Sequence, residues 1–253
     1  MRKLTGVLLA GAMAVSLAAC GQAEEKSNTS KKAETEQTKE QTPENVMIKS
    51  FNGNKEEVNL EVPYDPERIA VLDMASLDIL DNLGMGDRVV GSASTSLEYL
   101  TDYVDNEEVA NLGTIKEADL EAVMECDPDV IFIGGRLASS YDALSEIAPV
   151  VFLSTDSELG IVKSVTKNAE TIASMFGLED EVSKKTEGFD ERIKALKKTA
   201  EGKTALVGMT TSGSFNLMGN DGRCSIVGRE VGFENLTCLL YTSPSPRDRS
   251  LSR

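Results

Sequence analysis

Apolar residues divide the chain into segments of different character. Residues 4–19 are mostly apolar and follow Arg2 and Lys3, whereas residues 21–45 contain hardly any apolar side chain. From residue 46 onward, short apolar runs of strand length alternate with stretches in which apolar positions recur every three or four residues. The pattern predicts an export signal, a disordered polar segment and a folded region in which strands alternate with helices.

The first part of the folded region is predicted to be a hairpin followed by alternating strands and helices. Asn52-Gly53-Asn54 separates two strand-like segments, and Asn-Gly favours a hairpin turn because both residues tolerate positive φ. Short β-branched runs predict buried strands at 68–72, 88–91, 129–133 and 150–153. Apolar spacing and flanking glycine or proline predict helices at 74–83, 97–103, 118–124 and 139–147. This alternation is typical of an α/β fold with a mainly parallel sheet, in which ligands bind at the loops that follow the strands.

Two long helices and a second α/β unit follow. In the segment 158–176 five apolar residues recur at helical spacing: Ile161, Val165, Ala169, Ile172 and Phe176. A second, Lys- and Glu-rich helix is predicted at 179–199, strands at 203–209 and 215–218, and a helix from 225 to 231. The sequence therefore predicts an N-terminal α/β lobe over 46–157, connecting helices over 158–199 and the start of a C-terminal α/β lobe over 200–237.

The N-terminal segment has the layout of a secretory signal, with basic residues first and small residues last. Leu17-Ala18-Ala19-Cys20 resembles the lipobox of bacterial lipoproteins. In that class the thiol at the position of Cys20 carries a diacylglyceryl group, and cleavage makes this cysteine the first residue. We therefore expect a signal peptide at 1–19 and a lipidated, disordered tether at 20–45. The alternative is an ordinary secretory signal with a cysteine there by chance.

Composition excludes several classes of function. The chain carries 42 acidic and 26 basic side chains, a net charge of −16, and nucleic-acid binding needs a basic surface instead. The sequence contains no histidine, so a Ser-His-Asp or Cys-His catalytic group is impossible and the commonest metal ligand is missing. The four cysteines have no metal-site spacing: Cys20, Cys126, Cys224 and Cys238.

The last residues do not match the rest of the chain. Residues 238–248 look like the translation of a transposon-derived sequencing adapter, with agreement at every position. The alternative is a genuine Ser/Pro-rich tail. We therefore expect 238–253 to be a foreign tail and the natural second lobe to be truncated near Thr237.

Three stretches carry a resemblance to a known family. They are VNLEVPYDPERIAVLDMASLDILDNL at 58–83, LGTIKEADLEAVMECDPDVIFIGGR at 112–136 and GNDGRCSIVGREVGF at 219–233. In this order and spacing they resemble the iron–siderophore binding lipoproteins of Gram-positive ABC importers, and within these the binders of catecholate siderophores. The resemblance implies a two-lobed, periplasmic-binding-protein-like α/β fold with a single long interlobe helix.

The resemblance also implies which residues bind the ligand. Arg136 and Arg223 match positions where the family projects arginines into the cleft between the lobes. A ferric catecholate is a compact polyanion with flat rings, which a permanently charged guanidinium can both hydrogen-bond and stack on. For each arginine the alternative is an ordinary surface position. This chain also departs from the family, because Cys224 stands where relatives usually carry an aromatic residue.

Partners follow from the same resemblance. Glu121 is the candidate for docking on the ABC permease, with a solvated helix face as the alternative, and Glu230 or Glu234 is a guess for the second lobe. We expect a monomer held on the extracellular face of the cell membrane by lipid on Cys20. The permease and its ATPase are the expected protein partners. We expect no enzymatic activity, no resident metal and no cofactor, with ferric siderophore as the ligand.

Other functions remain open. The same fold could bind haem, a corrinoid or ferric citrate, and haem could use a tyrosine ligand from Tyr99, Tyr103 or Tyr141. Direct capture of zinc or manganese would need histidine and carboxylate clusters. An exported hydrolase is disfavoured because the sequence has neither histidine nor a Gly-x-Ser-x-Gly motif.

Overall fold

The computed structural model describes residues 43–156, 158–211, 214–220 and 224–236. The predicted signal peptide at 1–19, almost all of the predicted tether at 20–45 and the predicted tail at 238–253 lie outside these residues. Cys20 and Arg223 lie outside them too. The elements described are those of the folded region alone.

The described residues form short strands. In chain order they are β1 (Asn45–Phe51), β2 (Glu57–Pro63), β3 (Ile69–Val71), β4 (Val89–Ser92), β5 (Ala110–Asn111), β6 (Gly113–Thr114), β7 (Glu117–Ala118), β8 (Val130–Ile133), β9 (Val150–Phe152), β10 (Thr204–Ala205), β11 (Val207–Thr211), β12 (Ser214–Met218) and β13 (Glu234–Asn235).

Helices occupy the longer connections between these strands. They are α1 (Met74–Asn82), α2 (Asp102–Asp105), α3 (Leu120–Glu125), α4 (Tyr141–Ser145), α5 (Ile161–Ser174), α6 (Glu179–Thr186) and α7 (Phe189–Ala200). Short 3-10 helices lie at Gly86–Arg88, Glu98–Leu100 and Gly135–Ser140, and one π-helical turn lies at Ile226–Glu230. No helix among the described residues is both long enough and apolar enough to cross a bilayer.

A five-stranded parallel sheet forms the centre of the first α/β unit. Its strand order is β5-β4-β3-β8-β9, and every neighbouring pair is parallel. Starting from β3, the chain builds the sheet outward on one side and then returns to build it on the other side. The α/β fold class with a parallel sheet, as predicted from the sequence, is confirmed.

The two faces of this sheet carry separate halves of the core. Alternate residues along a strand point to opposite faces, so Phe132 packs with one cluster while Ile131 and Ile133 pack with the other. One cluster includes residues of α1, α5 and the β1–β2 hairpin, and the other includes residues of α3 and α4. Both faces are therefore covered, as a parallel sheet requires.

The antiparallel hairpin β1–β2 packs against a part of the chain about a hundred residues away. The two strands pair in register from Asn45 opposite Pro63 to Phe51 opposite Glu57. The buried Ser50 Oγ accepts a hydrogen bond of 3.0 Å from the Phe152 backbone N–H at the end of β9. The hairpin predicted from Asn52-Gly53-Asn54 is present, but positive φ occurs at Lys55 and not at the two predicted turn positions.

The helices after the sheet differ from the sequence expectation in two ways. The predicted helix at 179–199 is two helices, because Gly188 adopts a left-handed conformation with φ of 81° between α6 and α7. The predicted apolar face of α5 is only partly buried. Ile172 is fully buried, but Val165 is 42% exposed because it lines a surface groove with residues of α1, α6 and α7.

The predicted start of the C-terminal lobe contains short strands. The predicted strand 203–209 is split, because β10 pairs in parallel with β13 whereas β11 pairs in antiparallel with β12. Four large apolar side chains here are exposed: Leu206, Met209, Phe215 and Leu217. The predicted lobe boundaries near 157 and 199 remain a prediction.

Candidate functional site

The candidate site lies at the carboxyl ends of β3 and β8. The chain reverses its direction of sheet building between these adjacent strands, and in open parallel sheets ligands bind in the crevice at such a switch point. The residues that emerge there are Asp73 after β3 and Gly134-Gly135-Arg136 after β8. Arg136 is therefore at the position where the topology favours a ligand.

Asp73 is fixed at the start of α1. It is the N-cap residue, and its Oδ2 accepts hydrogen bonds from the Ser76 N–H at 3.0 Å and the Ser76 hydroxyl at 2.9 Å. Its half-buried side chain lies directly beside the loop that follows β8. A Cβ placed on Gly134 would lie 2.6 Å from Asp73 Oδ1, closer than real carbon atoms approach an oxygen.

Arg136 lies in the first turn of the 3-10 helix Gly135–Ser140. The next residue, Leu137, is completely buried and donates its N–H to the Gly134 carbonyl at 3.0 Å, which anchors the turn to the sheet. Arg136 itself is exposed and forms no ion pair with another described residue. A guanidinium on a fixed turn with its charge uncompensated by these residues can accept an anionic ligand.

The hairpin supports this turn from one side. A Cβ on Gly53 would lie 3.2 Å from both the Ala138 carbonyl oxygen and Tyr141 Cβ, so the small residue allows the hairpin tip to approach the 3-10 helix closely. A polar pocket of about 250 Å³ lies between them. Further in, the rings of Phe51 and Phe152 are 5.7 Å apart, and Phe152 also lies beneath Gly135.

Glu121, the candidate for permease docking, lies on α3. It is exposed in the first turn of α3, where Asp119 caps the helix by accepting the Ala122 N–H at 3.1 Å. Beside it Leu120 is 38% exposed and Met124 is 63% exposed. Methionine is enriched at protein interfaces, so the exposed Met124 beside Glu121 favours a docking role for this surface.

Three further residues singled out from the sequence are Cys20, Arg223 and Cys224. Cys20 and Arg223 lie outside the described residues. Cys224 is half-buried at the start of the π-helical turn. Within the described ranges, no group of three or more Cys, Asp or Glu residues is arranged to hold a metal ion.

Sequence reasoning missed one interaction altogether. The Glu230 carboxylate accepts hydrogen bonds from the Ile161 N–H at 3.1 Å and the Val162 N–H at 2.8 Å, at the N-terminus of α5. Gly160, which precedes them with φ of 86°, would place a Cβ 2.8 Å from Glu230 Oε1. The sequence suggested Glu230 only as a guess for permease docking, whereas its carboxylate is engaged within the fold. No local sequence signal marks a cap that is supplied from about seventy residues away.

The sequence matches a family model and related proteins of Bacillus subtilis. The model of the periplasmic binding protein family matches residues 69–238. The petrobactin-binding protein YclQ of Bacillus subtilis is 35% identical over 233 residues, which are 90% of this chain and 68% of that protein. The probable siderophore-binding lipoprotein YfiY of the same organism is 30% identical over 245 residues, or 92% of this chain and 68% of that one.

Solved structures agree with the sequence comparison. The crystal structure of YclQ from Bacillus subtilis superposes with a TM-score of 0.70 at 33% identity, covering 76% of this chain and 67% of that one. The iron uptake ABC transporter substrate-binding protein PiuA of Streptococcus pneumoniae gives a TM-score of 0.68 at 30% identity, with coverage of 77% and 68%. The chain thus spans about two thirds of the length of these relatives. On its sequence and its fold, this chain belongs to the periplasmic binding protein family.

Proposed function

We propose that this protein captures a ferric siderophore and delivers it to the permease of an ABC importer. The observation that carries the proposal is Arg136, exposed on the turn that follows β8 at the switch point of the parallel sheet. Relatives at 35% and 30% identity are named for petrobactin and siderophore binding, and one structural relative is named as an ABC transporter substrate-binding protein. Binding without catalysis fits a chain that has no histidine.

The chemistry of the ligand explains why an arginine is needed. A ferric catecholate complex is anionic, and the protein itself carries a net charge of −16, so the approach of the ligand is opposed by long-range repulsion. Local positive charge must therefore come from particular residues. Arg136 supplies one such charge, and Arg223 is proposed to supply another from the second lobe. The iron remains held by oxygens of the chelator.

The proposal also covers where the protein is anchored and which surface contacts the permease. Lipid on Cys20 anchors the protein at the extracellular face of the cell membrane, and the polar segment up to residue 45 acts as a tether. The protein works as a monomer. The surface formed by Leu120, Glu121 and Met124 contacts the permease, because it pairs a negative charge with exposed apolar side chains.

The ligand is tested by titrating the purified protein with ferric petrobactin. The chain has no tryptophan, so quenching of tyrosine fluorescence reports binding. A hydrogen bond to a charged group contributes about 1.5–3 kcal/mol, so R136A should weaken binding roughly 10- to 100-fold. R192A is the matched control, because Arg192 is also exposed but lies on α7, and it should change the affinity less than about twofold.

The outcomes are distinct. If R136A binds as tightly as the unchanged protein, Arg136 is not a ligand residue. If ferric petrobactin and an iron(III) catecholate both fail to bind while haem or ferric citrate binds, the ligand class is wrong. Failure with all of these ligands would refute the proposed function.

Docking is tested with the permease and its ATPase in lipid nanodiscs. E121K should reduce the stimulation of ATP hydrolysis by the loaded protein, because it reverses the charge of the proposed contact. E146K is the control, since Glu146 is exposed at the end of α4. Equal effects of the two substitutions would exclude a specific role for Glu121.

A further inference from the structure

A side chain at position 134 would collide with the side chain of Asp73. A Cβ there would lie 2.6 Å from Asp73 Oδ1 and 3.3 Å from Asp73 Cγ. The backbone does not itself demand glycine, because Gly134 has φ of −103° and ψ of 172°, a conformation that every amino acid adopts. Space beside Asp73 is therefore the reason that glycine fits here.

The neighbouring glycine provides an internal comparison. A Cβ on Gly135 would meet only the edge of the Phe152 ring, at 3.7 Å, which is ordinary van der Waals contact. The two adjacent positions in one loop thus differ sharply in the space available for a Cβ atom. The steric restriction is specific to Gly134.

The elements on both sides of the close contact are held in place. Asp73 is hydrogen-bonded to Ser76 at the start of α1, and that helix buries Leu77 and Leu80 completely. On the other side, β8 is fully buried between β3 and β9. Because Asp73 and β8 are both held in place, an added methyl group would displace the least buried part of the contact. That part is the loop that carries Gly135 and Arg136.

We propose that Gly134 is a positioning residue for the ligand site, since its missing side chain lets the turn rest against the carboxylate of Asp73 and sets where Arg136 is presented. This inference rests on the proposed role of Arg136 in siderophore binding. The N-cap of α1 and the placement of Arg136 are then coupled through one steric contact. A substitution at Gly134 acts on the ligand only through Arg136.

A double-mutant cycle tests that dependence. Ferric petrobactin is titrated into the unchanged protein, G134A, R136A and G134A/R136A, with tyrosine fluorescence as the readout. We expect G134A to weaken binding about tenfold, and G134A/R136A to bind no more weakly than R136A alone. G135A is the matched comparison and should lose at least fivefold less affinity than G134A.

A relief variant checks the steric cause. Serine at position 73 keeps an N-cap oxygen but removes the carboxylate oxygen nearest to Gly134, so D73S/G134A should bind more tightly than G134A. Hydrogen exchange gives a readout without ligand, because the Leu137 N–H bonds to the Gly134 carbonyl. Its exchange should be faster in G134A than in G135A.

The results separate this inference from the proposed function. If the unchanged protein binds ferric petrobactin and G134A binds equally well, the positioning role is wrong while the function stands. Independent, multiplicative losses in G134A/R136A would also overturn it. If the unchanged protein binds no siderophore, the proposed function falls, and unchanged Leu137 exchange in G134A would then reject the steric claim by itself.

Discussion

The contact between Glu230 and the N-terminus of α5 predicts a measurable loss of stability in E230A. Glu230 accepts two backbone hydrogen bonds, from Ile161 at 3.1 Å and Val162 at 2.8 Å. These N–H groups belong to the first turn of a helix, which has no earlier carbonyls to satisfy them. The glycine that precedes the helix has no side chain to cap it, so the carboxylate replaces a local cap.

The size of the effect follows from known costs of helix caps. Removal of an N-cap side chain costs about 0.5–2 kcal/mol, and a negative charge near a helix N-terminus contributes about 0.3–1 kcal/mol. Glu230 is half-buried and makes both hydrogen bonds, so we expect E230A to lower the free energy of unfolding by about 1–2 kcal/mol. For a protein of this length that corresponds to a fall in Tm of roughly 2–8 °C.

Urea unfolding followed by circular dichroism measures this difference. E230Q keeps one acceptor oxygen and should lose about half as much stability as E230A. E234A is the matched control, because Glu234 is an exposed glutamate four residues away, and its effect should stay within about 0.5 kcal/mol. If E230A and E234A unfold at the same urea concentration, the carboxylate does not cap α5 in solution and the reasoning is refuted.

Three further predictions concern particular side chains. Burial, together with the hydrogen bond to Asp81 at 2.6 Å and the charge of that carboxylate, raises the pKa of Tyr103 above its ordinary value. An absorbance titration at 295 nm should therefore contain one late tyrosine phase that Y103F removes. Because the pKa of Tyr103 in the folded state lies above the unfolded value of about 10, its contribution to folding stability is complete below about pH 10 and declines above it. Burial also raises the pKa of the Cys126 thiol, so peptide mapping should find slower alkylation by iodoacetamide at Cys126 than at half-buried Cys224, and the reverse order would contradict the described burial. G160A should destabilise the protein less in the E230A background than alone, because its clash with Glu230 Oε1 is then absent, and equal costs in both backgrounds would contradict that contact.

The sheet could be predicted from sequence because its strands are marked locally. β8 is a run of four buried apolar residues that follows Asp127-Pro128 and ends at two glycines, and β3 has the same character. Where propensity and tertiary contacts disagree, prediction was wrong. Gly188 is a local helix-breaking signal, so the break between α6 and α7 could have been predicted. No local pattern shows that 203–209 divides between two strand partners.

The candidate site was predictable only in part, for a related reason. Arg136 follows a clear strand, so its place at the carboxyl edge of the sheet could be anticipated. The space requirement at Gly134 depends on Asp73, and the cap from Glu230 depends on a helix sixty-nine residues earlier. Contacts between residues so distant in sequence leave no periodic trace in either segment.

The hydrogen bond between Ser50 and Phe152 has a consequence for the order of folding. The β1–β2 hairpin is the first ordered element of the described chain, but its partner group lies 102 residues further on. An isolated two-stranded hairpin is at best marginally stable in water, and closing so long a loop carries an entropic cost that slows folding. We therefore expect the hairpin to dock only after β9 has joined the sheet, so that the first element of the described chain is among the last to become protected from hydrogen exchange.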